Sequence, residues 1–425
     1  MSVLFLFACL FVLISLSVPV GFAIAGATAT TMVLFSDISL VMMGQYSTSG
    51  VNSFPMMAIP FFICAGIVMS AGGIAKRLVD VAANCIGFIT GGLGAVVGVA
   101  CMFFGAISGS AMATVSTIGS IMIPEMAKKG YQTGYGAAIS ASAGTIGAII
   151  PPSIPFIIYG VVTQTSIGDL FLAGIMPGLL MGIGIIIANY VLCKKNHIPG
   201  ESKKGARVIG RSIWEAKWAL LTPIIILGGI YGGIFSPTEA SVVGVVYAVV
   251  VSLFVYKEIT FRGLLKALLD TAAINGITTY LIGPATAFAA YLSMARVPSM
   301  LIDAITSFTD NKIVFLLLVN LLLLVVGCVI DNIPACIILA PMLLPAMKSF
   351  GLDPIHFGIF MTINLMIGLV TPPYGCNLFV ASAVAHVKME QILKYMLPFY
   401  IALVAVMLLV TYIPGISMGL VWLLR

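Results

Sequence analysis

The chain has 425 residues, 61% of them hydrophobic and 8% charged, with a mean hydropathy of +1.17. Soluble domains carry about 25% charged residues, so this composition excludes a water-facing surface and predicts an all-α polytopic membrane protein. The net charge of +6 fits cationic cytoplasmic loops rather than nucleic-acid binding, and apolar runs of about 20 residues fit helices rather than barrel strands.

The first apolar run, 3–35, is too long for one straight span, and Pro19 and Gly21 are expected to kink or divide it. No Lys or Arg precedes it, so it is expected to remain as a span and not to leave as a secretory signal. Apolar segments near 54–71, 92–124, 131–166 and 169–193 follow. Next comes the basic stretch 194–218, KKNHIPGESKKGARVIGRSIWEAKW, with seven Lys or Arg, two Glu, and Trp214 and Trp218 suited to the membrane interface. It reads as a cytoplasmic loop. Beyond it lie 219–235, 240–256, 267–295, 312–346, 354–385 and 396–413, with the SPTE turn around Pro237 and Glu239 between the first two.

Several chemistries lack their signatures. The eight cysteines are scattered without a C-x-x-C pair, the three histidines stand far apart with no H-E-x-x-H, and no P-loop for ATP occurs.

The segments 92–124 and 312–346 carry small or polar residues at mid-length, FFGAISGSAMATV (103–115) and GCVIDNIPACII (327–338). A re-entrant hairpin explains both, since its irregular tip is tolerated where protein or a watery cavity surrounds it. The segments 131–166 and 354–385 contain double prolines, IGAIIPPSIPF and IGLVTPPYGCNLF, and read as broken helices. Adding 221 superposes the two halves over roughly fifty residues. Ser110 falls on Asp331, Pro124 on Pro345, Gly147 on Gly368, Pro151 on Pro372 and Pro152 on Pro373. With a small shift, RLVDVA (77–82) meets MLIDAI (300–305). Lysines 128 and 129 precede the first broken helix and lysines 388 and 394 follow the second, so the two units enter from opposite faces as an inverted repeat.

The predicted organisation runs as follows. Residues 1–53 are N-terminal scaffold helices, and 54–168 are the first repeat of arm, hairpin and broken helix. Residues 169–266 are scaffold helices with the 194–218 loop, 267–390 are the second repeat, and 391–425 are a C-terminal scaffold helix.

Broken helices free carbonyls and helix ends; the former suit a small cation and N-termini suit an anion. Candidate Na⁺ ligands at the first unit are Gly105, Ser108, Gly109, Ser110, Pro151 and Ser153. At the second they are Gly327, Asp331, Asn332, Thr371, Pro372 and Gly375. Candidate substrate contacts are Ser108, Ser110, Ser153, Asp331, Asn332 and Asn377. Small residues also occur where membrane helices simply pack closely; their place in a repeat favours a site. Asp331 is an ionisable residue within a span, open to roles as ion ligand, proton carrier or partner to a buried cation. Asp80, Asp303 and Glu239 read as helix-end or interface residues, Arg296 and Lys348 as flanking anchors.

On FGAISGSAMATVSTIG (104–119), IIPPSIPFIIYG (149–160), SPTEASVVGVVYA (236–248), the D-N-x-P at 331–334 and TPPYGCNLF (371–379), the chain resembles the large membrane (M) subunit of tripartite ATP-independent periplasmic (TRAP) transporters. These lie within an ion-transporter superfamily of elevator carriers, and the resemblance is greatest to the sialic acid group. It covers nearly the whole chain. It implies a multi-pass carrier of the bacterial inner membrane, driven by two or more Na⁺ and without an organic cofactor. It also implies a periplasmic substrate-binding protein and a small four-helix (Q type) membrane subunit, expected here as a separate chain because the first apolar run begins at residue 3.

The reading is Na⁺-coupled import of an organic acid, sialic acid (N-acetylneuraminate) first and a C4-dicarboxylate or other carboxylate next. No covalent chemistry, and hence no enzyme, is needed. A proton-coupled carrier would titrate Asp331. An intramembrane protease using Ser108, Ser110 or Asp331 would lack a histidine or a second aspartate and would leave the repeat unexplained. A purely structural membrane partner would not need two broken helices.

Overall fold

The computed structural model describes residues 2–196, 198–300, 309 and 311–424, and every regular element among them is helical. Residues 301–308, with Asp303 and most of the MLIDAI segment, lie outside the described residues.

Helices α1 (Ser2–Ser15) and α2 (Val20–Phe35) divide the first apolar run at Ser17, which has φ 61°, and Pro19, which precedes α2. Helix α3 (Leu40–Val51) is absent from the predicted segments because the polar run Gln45–Ser49 interrupts its hydropathy. Helix α4 (Ala58–Ala71) leads through Gly72 and Gly73 into the amphipathic α5 (Ile74–Ile86). Arg77 of α5 pairs with Glu258 at 2.7 Å and lies 3.7 Å over the Tyr256 ring, fastening α5 to the segment beyond α13 (Pro237–Val250).

Each predicted hairpin is two helices joined at a tip: α6 (Gly92–Ser108) with α7 (Ala111–Lys128), and later α15 (Lys312–Gly327) with α16 (Asn332–Ser349). Each predicted broken helix is likewise two pieces: α8 (Thr133–Gly144) with α9 (Ile154–Thr163), and α17 (Pro354–Gly368) with α18 (Cys376–Ala385). Most of these pieces are shorter than the roughly 20 residues of a bilayer span. Their free backbone ends are tolerated at depth because other helices surround them.

The remaining helices are α10 (Ile167–Lys195), α11 (Ala206–Glu215), α12 (Lys217–Tyr231), α14 (Phe261–Met294), the short α19 (Met389–Leu393), α20 (Leu397–Tyr412) and α21 (Pro414–Leu424). Two differ from expectation. The basic stretch contains a helix, α11, bent by 57° from α12, and the C-terminal segment is two helices bent by 56°. Alternating cations and apolar residues allow α11 an amphipathic turn that average hydropathy conceals.

The helices pack in two groups. In one, α4 lies on α13 and α14, and α14 lies on α2 and α3. In the other, α7 and α8 pack with α18, while α10 packs against α6, α20 and α21. Helices α10, α20 and α21 thus lie beside the hairpins. The groups meet where α14 touches α16 and α4 touches α6. Large apolar side chains such as Phe11, Ile224, Phe254, Leu317 and Ile401 are exposed on the outside, as a bilayer-embedded exterior requires.

Candidate functional site

The first tip leaves no room for a side chain. Gly109 ends α6 with φ 61°, and a Cβ there would lie 2.7 Å from the Pro152 carbonyl oxygen. Glycine alone meets both demands. The Gly109 carbonyl accepts the Ile154 N–H at 3.2 Å, joining the tip to the start of α9. Deeper in α6, a Cβ on Gly105 would lie 2.7 Å from the Gly147 Cα, so the hairpin and the broken helix touch backbone to backbone.

Thr114 organises the hydroxyls at this tip. It donates to the Ser110 carbonyl at 2.8 Å and shares a hydrogen bond with Ser108 at 3.1 Å. A threonine has one hydroxyl proton, so Ser108 donates in the shared bond and keeps only acceptor capacity. Ser153 caps α9: it accepts the Phe156 N–H at 3.3 Å and donates to the Ala148 carbonyl at 2.6 Å. Pro151 is buried in this break, and the Pro151–Pro152 bond is cis.

The second tip has the same plan and different chemistry. A Cβ on Gly327 would lie 3.3 Å from the Gly368 Cα, and the Cys328 carbonyl accepts the Tyr374 N–H at 3.0 Å. Asp331 precedes α16 as its N-cap, but its side chain makes no capping bond. Its Oδ1 is buried and without a partner among the described residues. Asn332 is 9% exposed, and its side-chain NH₂ reaches only the Met366 sulfur at 3.9 Å. Asn377 donates to the Ala141 carbonyl at 3.3 Å while its Oδ1 is buried and unpartnered. Thr371 donates to the Ile367 carbonyl at 2.8 Å, and Gly375 begins α18 with φ 48°. The Pro372–Pro373 bond is also cis, but these prolines are exposed.

Both tips open on a cavity of about 630 Å³ between the two helix groups. One wall comes from α4 and α14, through Ile63, Ile67, Ser70, Ile274 and Thr278. The other comes from the first tip, the starts of α7 and α9, and Asn332 and Ile333 of α16. Ser70 and Thr117 share a hydrogen bond of 3.0 Å between α4 and α7. Among the described residues no Lys, Arg, His, Asp or Glu lines the cavity.

Of the predicted residues, Ser108, Gly109, Ser110 and Asn332 line this cavity. Gly105, Pro151, Ser153, Gly327, Asp331, Thr371, Pro372, Gly375 and Asn377 stand in the adjoining hairpins and breaks without lining it. Glu239 closes a capping box with Ser236 at the start of α13, a local structural role. Sequence reasoning missed Thr114, whose spacing of four from Ser110 permits the bond to its carbonyl, and the α4 and α14 wall. Gly66 of α4 has no local signal, yet a Cβ there would lie 3.2 Å from the Ser108 Cα.

An all-helical chain, apolar outside and inside, with broken helices converging on a cavity between two helix groups, defines a polytopic integral membrane protein. Residues 7–416 match the family described as "Tripartite ATP-independent periplasmic transporter, DctM component". The chain belongs to that family. It is 42% identical to the isethionate TRAP transporter permease protein DctMQ of Oleidesulfovibrio alaskensis, over 98% of this chain and 66% of that protein. It thus spans just under two thirds of that relative's length. It is 40% identical to the C4-dicarboxylate TRAP transporter large permease of Pseudomonas aeruginosa, over 92% of each, and 36% identical to the sialic acid TRAP transporter large permease of Vibrio cholerae, over 94% of each. Among solved structures, the Alcanivorax borkumensis YdaH transporter shares the fold, with a TM-score of 0.68 over 92% of this chain and 91% of that one at 16% identity. The relatives are named as permeases, so the chain is a transporter component rather than an enzyme.

Proposed function

We propose that this chain is the large membrane subunit of a Na⁺-coupled carrier that imports an organic acid across the bacterial inner membrane. The observation that carries the reading is the cavity between the helix groups, on which both tips converge. Helix starts supply donors for an anion there, and unpartnered oxygens at the second tip and break supply ligands for a hard cation. Leaving a buried polar atom unsatisfied costs about 1–3 kcal/mol, and a bound Na⁺ would relieve that at Asp331 and Asn377. Ser108, confined to accepting, also suits a cation.

The hairpins and broken helices act as an inverted repeat in this reading, and they move with α10, α20 and α21 against α2–α4 and α12–α14. Transport needs no bond chemistry. Ion and substrate bind the inward and outward states unequally, and the Na⁺ gradient supplies the direction. A soluble periplasmic binding protein delivers the substrate, and a small membrane subunit completes the permease. The combined name DctMQ, and the third of that relative which this chain does not cover, support such a subunit. The relatives' names include isethionate, C4-dicarboxylate and sialic acid, and N-acetylneuraminate remains the first substrate proposed. Reconstitution with the small subunit and a matched binding protein, assayed with these three compounds, tests the reading: one should accumulate, and failure of all three with a verified binding protein counts against it.

A further inference from the structure

Helix α11, in the basic stretch, carries a surface that transport through the cavity does not use. It turns one stripe inward, where it packs on α5: Ser212 and the cap residue Ala216 are buried, and Ile209 is half-buried. The opposite stripe is Arg207, Arg211 and Trp214, at helical spacing. All three are exposed, Trp214 at 69%, and the exposed Val208 and Ile213 flank them. Lys203, Lys204, Arg207 and Lys217 make no ion pair among the described residues, because Glu201 is taken by Lys129 and Glu215 by Arg211. Lys217 Nζ stands 3.5 Å over the Trp214 ring, whose face attracts a cation.

A solvated loop explains the cations and leaves the exposed rings and aliphatic side chains unexplained. Both together are the make-up of a helix lying in the headgroup layer. The geometry sets its depth. Only Ala216 separates α11 from α12, and the two helices are inclined by 57°. Ten residues at about 1.5 Å each therefore advance only about 8 Å along the α12 axis, close to the thickness of one headgroup layer. The corner is also fixed. Tyr256 donates to the Glu215 carbonyl at 3.1 Å and accepts the Ala219 N–H at 3.3 Å, while Tyr247 donates to the Trp218 carbonyl at 2.8 Å. Swinging α11 away from the membrane would break the first of these bonds. Its cations are spread along the whole helix instead of gathered in a pocket, which matches a continuous layer of phosphates better than one acidic ligand.

We infer that α11 and its flanking cations form a docking surface for anionic phospholipid headgroups of the cytoplasmic leaflet. Arg207, Arg211 and Lys217 hold phosphates, and Trp214 and Trp218 anchor beside them at the interface. Because α11 packs on α5, which leads into the first hairpin, bound lipid braces that junction. The inference is independent of the substrate and of the coupling ion.

The test uses the full chain carrying Trp422→Phe, which leaves Trp214 and Trp218 as its only tryptophans. It is placed in nanodiscs of phosphatidylcholine and phosphatidylglycerol in equal amounts, with bromine on the acyl chains of one lipid or the other. Brominated chains quench tryptophan on contact, so two samples of the same headgroup composition report which lipid surrounds α11. Quenching about twofold or more stronger from phosphatidylglycerol is expected. It should fall to parity in Arg207→Gln/Arg211→Gln/Lys217→Gln, and in about 1 M salt. Equal quenching in the parent protein would overturn the inference, as would a preference that survives the triple substitution. Absence of quenching from either lipid would place α11 outside the bilayer and overturn it too. If the triple variant does not fold, Arg207→Gln and the salt dependence of the parent decide, and a preference unmoved by both refutes the inference. Adding the small membrane subunit tests a protein occupant: an unchanged preference supports the lipid, and loss of quenching from both lipids assigns the surface to that subunit instead.

Discussion

The Gly105 and Gly147 backbones meet so closely that a single added methyl on Gly105 would sit 2.7 Å from the Gly147 Cα. The same relationship recurs between Gly327 and Gly368 at 3.3 Å. Hairpin and broken helix are therefore one packed unit at each end of the cavity, and the Gly109–Ile154 bond holds the first tip in register.

Gly105→Ala should separate these backbones and lower stability by about 1–3 kcal/mol, the usual cost of overpacking a filled core. Gly228→Ala, on α12 with nothing within 4 Å of the added Cβ, should leave stability unchanged or slightly raised. Thermal unfolding in detergent compares them. An undisturbed Gly105→Ala protein would show that the two elements are not locked together.

Residues 194–218 should face the cytoplasm, because seven cations oppose translocation. Within this segment Glu201 pairs with Lys129 at the end of α7, at 2.8 Å, and its carboxylate raises the Lys129 pKa. The pair therefore places the cytoplasmic end of the first hairpin on the same side. A cysteine at Ser202, introduced into a cysteine-free background, should resist an impermeant reagent added to intact cells. Ready labelling from outside would invert the whole topology.

Asp331→Ala should abolish Na⁺-driven uptake while leaving assembly with the small subunit intact. Asp331→Asn keeps an oxygen but loses the charge, so it should raise the Na⁺ concentration needed. Ser110→Ala should raise it more mildly, since Ser110 occupies the place of Asp331 in the first repeat and offers a neutral oxygen. Wild-type Na⁺ dependence in Asp331→Ala would remove the carboxylate from ion coupling.

Substrate delivery gives a further prediction. The permease alone should take up little substrate at low concentration, and adding the binding protein should restore uptake. Saturable uptake by the isolated chain at micromolar substrate would contradict a three-part system.

Much of this architecture was legible because irregularity at depth is costly and therefore informative. Double prolines at 151–152 and 372–373, and polar residues inside long apolar runs, mark breaks and tips that local chemistry alone dictates. The tips' serines and asparagines were legible for the same reason. Helix α3 was hidden because its polar face resembles a loop in a hydropathy profile. The α4 and α14 wall was hidden because Gly66, Ser70 and Thr278 acquire meaning only through partners far away in sequence. The grouping of α10 with α20 and α21 follows from tertiary packing, and nothing in their apolar composition announces it.

The central claim is tested most directly by reconstituting this chain with its small subunit and binding protein, then imposing Na⁺ and proton gradients separately. The account predicts accumulation of an organic acid under an inward Na⁺ gradient, and none under a proton gradient without Na⁺. Accumulation driven by protons in the complete absence of Na⁺ would contradict it.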